Sequence, residues 1–285
     1  MGPCMSRPMA TAAFPSISPS LVKPVASLKT PGQCMFGEDW KPAKLVSKMP
    51  VGKSSQIFTF ELPDKTKPLG LSTCACILAK GGKDDGQPVI RPYTPISTND
   101  LIGKMELLVK IYPGGKLSQH MMSLPIGESI DFKHIDFNVK IQYPFNKKKI
   151  GIICGGTGIT PMIQALHALL GTEKDETEIS MLYGSRTADD ILAGDTMDRW
   201  ASQSHGRFKC THVLSNEEGS SYTGERGWVD KDRITKFLPP PSEDCIIFVC
   251  GPPPMYESLC GPRTEKEVTG VLSELGFSND MVFKF

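Results

Sequence analysis

The stretch RPYTPIS at residues 91–97 combines a cation, an aromatic ring and hydroxyl groups on one extended segment. Arg91 can pair with a diphosphate, Tyr93 can pack on a flat ring, and Thr94 can hydrogen-bond a ring nitrogen. The downstream stretch YPGGKLSQHM, residues 112–121, adds glycine N–H groups, a lysine and a serine. These residues suit a ring compound that carries phosphates, although an edge strand with an exposed arginine would look the same.

A glycine-rich loop, CGGTGITPM at residues 154–162, follows the apolar strand pattern IGIIC. Gly156 and Gly158 allow the backbone to pass close to a neighbour. We expect Thr160 to N-cap the next helix and Pro161 to take its first position, where no N–H is needed. Because a helix N-terminus favours an anion, the loop is suited to a phosphate. A tight strand-to-helix turn explains this stretch equally well when it is considered alone.

A second Gly/Pro loop, CGPPPM at residues 250–255, also follows an apolar strand pattern. Ligands of open parallel sheets lie beyond the carboxyl ends of the strands, so two such loops favour a nucleotide site. The strand expected to end in a ribose-binding acidic residue ends instead in Ser185 and Arg186. The sheet therefore departs from an ordinary NAD Rossmann fold. Cys250 by itself would be interpreted as a buried thiol at a strand end.

Composition limits the classes of function that the chain can have. It has 285 residues, enough for two domains, and 39% hydrophobic and 22% charged residues are typical of a soluble globular protein. The formal net charge of +1 gives no bulk attraction to nucleic acid, so we expect no such partner. Nine cysteines without a CxxC pair or zinc spacing indicate reduced structural thiols and no metal site, with Cys74-x-Cys76 as a weaker redox or metal alternative.

The hydrophobic periodicity changes near the stretch YPFNKKK, which divides residues 38–146 from residues 147–285. Short strands with Gly and Pro turns in the first part predict an antiparallel β-barrel. Strands alternating with helices in the second part predict a parallel α/β sheet. Helices are expected at residues 161–170, 188–200, 230–237 and 264–275. The uncharged run 150–170 is long enough to span a membrane, but its four glycines and a proline favour a strand and a helix.

Residues 1–37 contain no Asp or Glu and are rich in Pro, Ser, Ala and Thr. This composition predicts a disordered leader. Acid-poor, Ser-rich leaders are typical of organelle-targeting peptides. The opening MGPCMS also fits a myristoylation pattern, with Cys4 available for a second acyl chain. A targeting peptide, a lipidated anchor for peripheral membrane attachment and a plain tail all stay open.

The order and spacing of RPYT, GGKLSQ, GGTGITPM, CGPPPM and the final MVFKF resemble the NADH–cytochrome b5 reductase family, from about residue 40 to residue 285. That family lies within the ferredoxin–NADP reductase-like flavoenzymes. The resemblance implies that the first domain is a six-stranded antiparallel β-barrel that binds FAD and that NADH binds the α/β domain. It also implies hydride transfer to the flavin and single-electron transfer to cytochrome b5 or a similar haem protein.

The resemblance also assigns roles to particular residues. Thr94, Lys110 and Cys250 would lie nearest the reacting atoms and are the predicted catalytic residues. Lys110 would favour negative charge on the reduced flavin ring. The predicted FAD contacts are Arg91, Pro92, Tyr93, Thr94, Lys110, Ile111, Tyr112, Gly115, Lys116, Leu117 and Ser118. The predicted nicotinamide-nucleotide contacts are Gly155, Gly156, Thr157, Gly158, Ile159, Thr160, Cys250, Gly251, Pro252, Pro253 and Met255.

Several expectations are finer than the family. Members commonly carry an acidic or amide residue that helps exclude NADPH where this chain has Ser215 or Asn216, so we expect NADH to be preferred. An NADPH-using or differently partnered diaphorase is the close alternative, and a redox-inactive nucleotide-binding module is a different class. We expect a monomer that is mitochondrial or membrane-associated and facing the cytosol, with a cytoplasmic location as the alternative.

Overall fold

The structure is a computed structural model, and it describes residues 17–218 and 222–285. The first sheet is antiparallel and six-stranded, in the order β4-β3-β6-β1-β2-β5. Its strands are β1 Lys41–Val51, β2 Ser55–Glu61, β3 Ile77–Asp84, β4 Gln87–Tyr93, β5 Lys104–Lys110 and β6 Ser129–Lys133. The expected six-stranded antiparallel fold of the first domain is confirmed.

The first sheet encloses an apolar core because side chains along its strands alternate between a buried apolar face and an outer face. Phe58 and Phe60 point to one side of β2, and they pack in that core with Leu62, which directly follows the strand, and with Phe132 of β6. Helix α2, Lys116–Ser123, covers the sheet next to β3. The two edge strands β4 and β5 both line one cleft, so the sheet curls until its edges face a common space.

The second sheet is parallel throughout, in the order β10-β9-β8-β7-β11-β12. Its strands are β7 Lys149–Gly155, β8 Glu178–Ser185, β9 Phe208–Leu214, β10 Glu225–Arg226, β11 Cys245–Cys250 and β12 Val282–Lys284. The helices around it are α3 Ile159–Gly171, α4 Gly194–Gln203, α5 Lys231–Phe237, α6 Pro253–Leu259 and α7 Gly270–Glu274. Short 3-10 turns lie at Asp136–Asn138, Gly156–Gly158, Ala188–Asp190 and Asn279–Met281. The expected parallel α/β domain is confirmed.

An apolar core joins the two domains. Ile57, Ile96 and Leu108 of the first domain belong to the same buried cluster as Ile159 and Ile163 of α3. The connector between the domains also packs, since Phe145 contacts Phe248 of β11 edge to face at 5.1 Å between ring centroids. The two sheets therefore meet along a desolvated seam.

Residues 17–37 differ from the expected disordered leader. Helix α1, Pro19–Val22, is capped by Ser18, and Leu21 is buried in the core cluster shared by the two domains. Phe36 is fully buried in the first domain. The expectation failed because the partners that order this segment lie in the two domains and not in its own composition. Residues 1–16, including the MGPCMS motif and Cys4, lie outside the described residues.

The segment of residues 18–27, which we call the strap, bonds to both domains. The Ser18 and Ser20 hydroxyls donate to the buried carboxylate of Glu106 in β5. The Val25 N–H donates to His167 Nδ1 of α3 at 3.0 Å. Asn99 Nδ2 donates to the Ser27 carbonyl at 3.0 Å. The strap therefore crosses the seam on a side that does not line the cleft.

Two predicted helices and one predicted cap were wrong in detail. Residues 188–200 divide into a 3-10 turn and α4, and residues 264–275 contain only the short helix α7. Helix α3 begins at Ile159 with Gly158 as its N-cap, so Thr160 is not the cap and Pro161 is its third residue. The Thr160 hydroxyl donates instead to the Thr157 carbonyl at 3.1 Å. Pro161 still lies in the first turn, where its N–H is not required.

Within residues 17–218 and 222–285, no helix is both long and apolar enough to cross a membrane. No group of three or more His, Cys, Asp or Glu side chains there could hold a metal ion.

Candidate active site

A cleft of about 1210 Å³ separates the edge of the first sheet from the carboxyl ends of the strands in the second. This volume exceeds that of a site for one small molecule, roughly 300–1,000 Å³. Strands β4 and β5 and the loop into α2 form one wall. The loops after β7, β8 and β11 form the other. The cleft thus meets the rule that ligands bind beyond the carboxyl ends of parallel strands.

The structure brings nearly all the predicted site residues to this cleft. From the first domain, the lining includes Arg91, Pro92, Tyr93, Thr94, Lys110, Ile111, Tyr112, Gly115, Lys116, Leu117 and Ser118. From the second, it includes Gly155, Gly156, Thr157, Gly158, Thr160, Cys250, Gly251, Pro252, Pro253 and Met255. Ile159 is the exception, because its side chain is fully buried in the core. The individual ligand contacts of these residues stay predictions.

Gly156 and Gly158, in the loop after β7, must be glycine for different structural reasons. Gly156 has φ +54, a backbone conformation that other residues rarely adopt, and open space where a Cβ would stand. Gly158 has an ordinary φ, but a Cβ there would lie 2.0 Å from the Cys250 carbonyl oxygen. Gly158 therefore lets the loop after β7 lie against the end of β11, so that the two Gly/Pro loops share one wall.

Cys250 and Tyr93 are held in their neutral forms on opposite walls. Burial raises the pKa of the Cys250 thiol to about 11, although the Tyr256 hydroxyl partly offsets that effect. Burial likewise raises the pKa of Tyr93 to about 12. Neither side chain therefore exchanges a proton near neutral pH.

Lys110 makes an ion pair across the cleft that the sequence did not predict. Its Nζ lies 2.8 Å from Asp190 Oδ1, and the two side chains are 11% and 15% exposed. Burial alone would raise the pKa of Asp190, but hydrogen bonds from Lys110 and Arg186 outweigh it, so that pKa lies below its ordinary value. The Arg186 Nε also lies 3.2 Å from Asp190 Oδ2. The charge of Lys110 is thus partly balanced within the protein.

The ends of β8 and β9 form the far end of the cleft. The Asn216 N–H donates to the Arg186 carbonyl at 2.7 Å, and the Ser215 N–H donates to the Ser185 carbonyl at 3.0 Å. The Arg186 side chain is 67% exposed. Trp228 is 73% exposed and lines the same region. This end offers a guanidinium, hydroxyls and an aromatic face to a ligand.

Sequence reasoning missed several residues that line the cleft. They are Ser54, Asp84, Lys140, Asp190, Trp228, Tyr256, Arg263 and Phe285. Phe285 ends the motif MVFKF, which supported only the family resemblance. The others come from several separate elements and belong to none of the motifs found in the sequence.

The site can hold a flavin nucleotide on one wall and a nicotinamide nucleotide on the other. The residues fit such groups: Arg91 is an exposed cation on the first wall, and α3 begins at the second wall without a side-chain cap. A helix N-terminus of this kind favours phosphate. Fold and cleft together define a two-domain flavin- and nicotinamide-dependent oxidoreductase.

Comparison with known proteins agrees with this class. The family model "Oxidoreductase FAD-binding domain" matches residues 42–139, and "Oxidoreductase NAD-binding domain" matches residues 152–261. The chain is 38% identical to NADH-cytochrome b5 reductase 2 of Scheffersomyces stipitis, over 87% of this chain and 84% of that protein. It is 38% identical to an NADH-cytochrome b5 reductase-like protein of Arabidopsis thaliana, over 90% and 79%. The chain belongs to the NADH–cytochrome b5 reductase family.

A solved structure supports the same placement. The cytochrome b5 reductase domain of Ulva prolifera nitrate reductase matches with a TM-score of 0.77 and 28% identity. The match covers 88% of this chain and 99% of that domain. The family resemblance expected from the motifs is therefore confirmed.

Proposed function

We propose that the chain is an NADH-dependent flavoenzyme that passes hydride from NADH to FAD and then single electrons to cytochrome b5. One observation carries the proposal: a single cleft holds the Arg91–Thr94 motif on one wall and both Gly/Pro loops on the other. FAD, when bound, supplies the change from two-electron to one-electron chemistry. The chain's own part is to bind, orient and exclude water.

The residues divide that work between the two walls. Arg91 presents a guanidinium for a diphosphate, and the backbone of residues 115–118 presents N–H groups beside it. Thr94 lies where β4 ends at the seam, and Thr157 with Thr160 lies opposite. The buried apolar seam below them excludes water from the meeting point of the two nucleotides.

Cys250 orients and does not move a proton in this proposal. Its thiol stays protonated because its pKa is about 11. Hydride transfer from a nicotinamide needs no general base. A compact neutral group at the end of β11 is therefore consistent with the reaction.

The decisive experiment is an anaerobic titration of the full chain. We expect the purified protein to be yellow, and NADH to bleach the flavin band near stoichiometric addition. A colourless protein that does not take up FAD, or a flavin that no nicotinamide nucleotide bleaches, would favour the redox-inactive module instead.

Cytochrome b5 as the acceptor follows from the names of the relatives and from charge at the cleft. Lys140 and Arg263 are cations in the cleft lining, and within the described residues neither forms an ion pair with a carboxylate. Cations at an electron-exit site would steer an acidic haem protein. We expect the Lys140→Glu and Arg263→Glu variants to slow reduction of cytochrome b5 but not of a small neutral quinone. Equal slowing with both acceptors would argue against docking at this place.

A second candidate, use of NADPH in the same cleft, is favoured by Arg186. In nucleotide-binding sheets an acidic residue at a strand end holds the ribose 2′-hydroxyl, whereas an arginine accommodates a 2′-phosphate. Here β8 ends at Ser185 and the exposed Arg186 follows. We propose that NADH is preferred and that NADPH is also accepted. An Arg186→Gln variant should lose activity with NADPH and keep it with NADH; a parallel loss with both would contradict this role.

Location and oligomeric state also stay proposals. We propose a monomer whose residues 1–16 carry any mitochondrial targeting or peripheral membrane attachment. The support is that the rest of the predicted leader is used in packing. Fractionation of cells that express the full chain or a chain lacking residues 2–16, each with a C-terminal tag, tests this. The same cytoplasmic distribution for both would favour the plain tail.

A further inference from the structure

Gln164 of helix α3 donates two hydrogen bonds across the seam between the domains. Its Nε2 lies 2.7 Å from the Pro95 carbonyl oxygen and 2.7 Å from the Ser97 carbonyl oxygen. The residue is only 9% exposed, so water has little access to replace either bond. One amide group thus uses both of its hydrogens on the backbone of the other domain.

The two carbonyls belong to the segment that carries Thr94. Pro95 follows Thr94 directly, and residues 96 and 97 are fixed on β5. The Ile96 N–H donates to the Glu106 carbonyl at 2.9 Å, and the Glu106 N–H donates to Ser97 Oγ at 2.9 Å. Gln164 therefore hydrogen-bonds to a segment that is itself bonded to the first sheet, immediately beside the flavin wall.

The other end of the connection is the nicotinamide wall. Helix α3 begins at Ile159, directly after the Gly156–Gly158 turn that lines the cleft. Gln164 lies five residues further, roughly 7–8 Å along a helix that rises about 1.5 Å per residue. A helix transmits displacement over this distance almost rigidly. Movement of Gln164 against Pro95 would therefore move the loop against Thr94.

We propose that Gln164 is a positioning residue for hydride transfer, and that its two bonds to Pro95 and Ser97 set the separation of the two cleft walls. This inference rests on the proposed function, because it concerns the reaction of that cleft. Misplacement of reacting groups by about 1 Å can cost on the order of 100-fold in rate. The buried seam supplies most of the adhesion between the domains, so loss of one amide should disturb alignment more than folding.

The test uses the full chain with Gln164→Met, which keeps the length of the side chain and removes both donors. Gln164→Asn is the second variant, since it keeps an amide that is too short to span the same gap. Gln142→Met is the matched control, because Gln142 Nε2 also donates to backbone carbonyls, those of Thr73 and Lys140 at 2.8 Å each and that of Ile141 at 3.3 Å. Gln142 lies in the connector and does not line the cleft.

Four quantities are measured on each FAD-loaded protein. Stopped-flow bleaching at saturating NADH should slow by about 10- to 100-fold in both Gln164 variants. The deuterium isotope effect with NADH labelled at C4 should rise, while FAD content and the Kd for a non-reducing NADH analogue stay within about threefold. The control should match the parent in all of these.

A structural readout without FAD or NADH separates alignment from activity. Hydrogen exchange of the apoprotein should speed up in residues 94–97 and in the first turn of α3 for the Gln164 variants only. Unchanged bleaching, isotope effect and exchange in Gln164→Met would overturn the proposal. Loss of FAD in step with the rate in both variants would also overturn it, since the amide would then serve folding alone. A parent protein that NADH does not bleach would refute the proposed function; the exchange result would still decide whether Gln164 aligns the walls.

Discussion

Lys110 and Asp190 meet across the cleft, with 2.8 Å between Nζ and Oδ1. Lys110 is the last residue of β5, and Asp190 lies in the 3-10 turn after β8. The ion pair therefore joins the two domains at the site itself. The charge of Lys110 therefore does not act alone on whatever occupies the flavin wall.

Removing the counter-charge should raise the reduction potential of the bound flavin. In Asp190→Asn, the positive charge of Lys110 is no longer balanced, and it favours the more negative reduced ring. A unit charge at cleft distances contributes about 1–2 kcal/mol, which is roughly 20–45 mV for a two-electron couple. A spectroelectrochemical titration measures the shift.

The neighbouring carboxylate provides a control. Asp189 pairs with Lys53 at an exposed position. Asp189→Asn should leave the potential within a few millivolts of the parent, because solvent screens that pair. A downward shift in Asp190→Asn, or equal shifts in the two variants, would contradict the role given to the Lys110–Asp190 pair.

Acid should weaken the protein through His167. Burial lowers the pKa of His167 to about 4 in the folded protein, whereas the unfolded chain has the ordinary value near 6.5. Between these values the unfolded state binds more protons, so this contribution to stability is complete above about pH 6.5 and is lost as the pH falls towards 4. The free energy of unfolding should decline by up to roughly 3 kcal/mol over that range. Urea denaturation at stepped pH measures the decline.

His167→Leu should flatten the same curve, although the variant loses the bond from Val25 and is less stable throughout. His205→Leu is the control, because His205 is exposed in a turn. A His167→Leu curve as steep as that of the parent would show that other groups cause the acid sensitivity.

Arg91→Ala should be purified largely without FAD. Arg91 is the arginine at the end of β4, and its guanidinium lines the flavin wall. Losing a bidentate cation for a diphosphate typically costs about 1.5–3 kcal/mol, or more than tenfold in affinity. The ratio of flavin to protein absorbance measures FAD content. Lys104→Ala removes an exposed cation at the far end of β5 and should keep full FAD; a full complement in Arg91→Ala would exclude the assignment.

The Cys250 thiol should be alkylated slowly, and its ionisation should not affect the pH profile of kcat. With a pKa of about 11, roughly 0.1% of the thiol is thiolate at pH 8. Iodoacetamide should therefore modify Cys250 slowly in the native protein and quickly after unfolding. Cys250→Ser should lower kcat while leaving the pH profile between 6 and 9 as flat as that of the parent. A new inflection below pH 9 in the parent that Cys250→Ser removes would show that the thiol ionises during turnover.

The motifs of the site could be predicted because their requirements are local. Gly156 is needed for a positive φ and Gly158 for close approach to Cys250, and both requirements leave a glycine in the sequence. Strand patterns such as 245–250 matched the observed strand because buried parallel strands are continuous apolar runs.

Contacts between distant residues could not be predicted in the same way. Lys110 and Asp190, or Gln164 and Pro95, meet because of the way the two sheets pack together, and no single stretch encodes that arrangement. The last helix shows the same limitation. Lys284 Nζ donates to the carbonyls of Pro262, Glu265 and Glu267 at 2.8–3.1 Å, so that stretch satisfies its carbonyls without helical bonds. The helix is then confined to Gly270–Glu274.

The hydrogen bonds of the strap define which amino-terminal residues can be removed by proteolysis without loss of a contact to the domains. A protease that cut after Ser18 would remove the hydroxyl that donates a hydrogen bond to Glu106. A cut after Val25 would also remove the N–H that donates to His167. A targeting peptide that is removed without disturbing either bond would end before Ser18. If Gly2 carried an acyl chain instead, the 15 residues between it and Ser18 would give a reach of roughly 55 Å when fully extended.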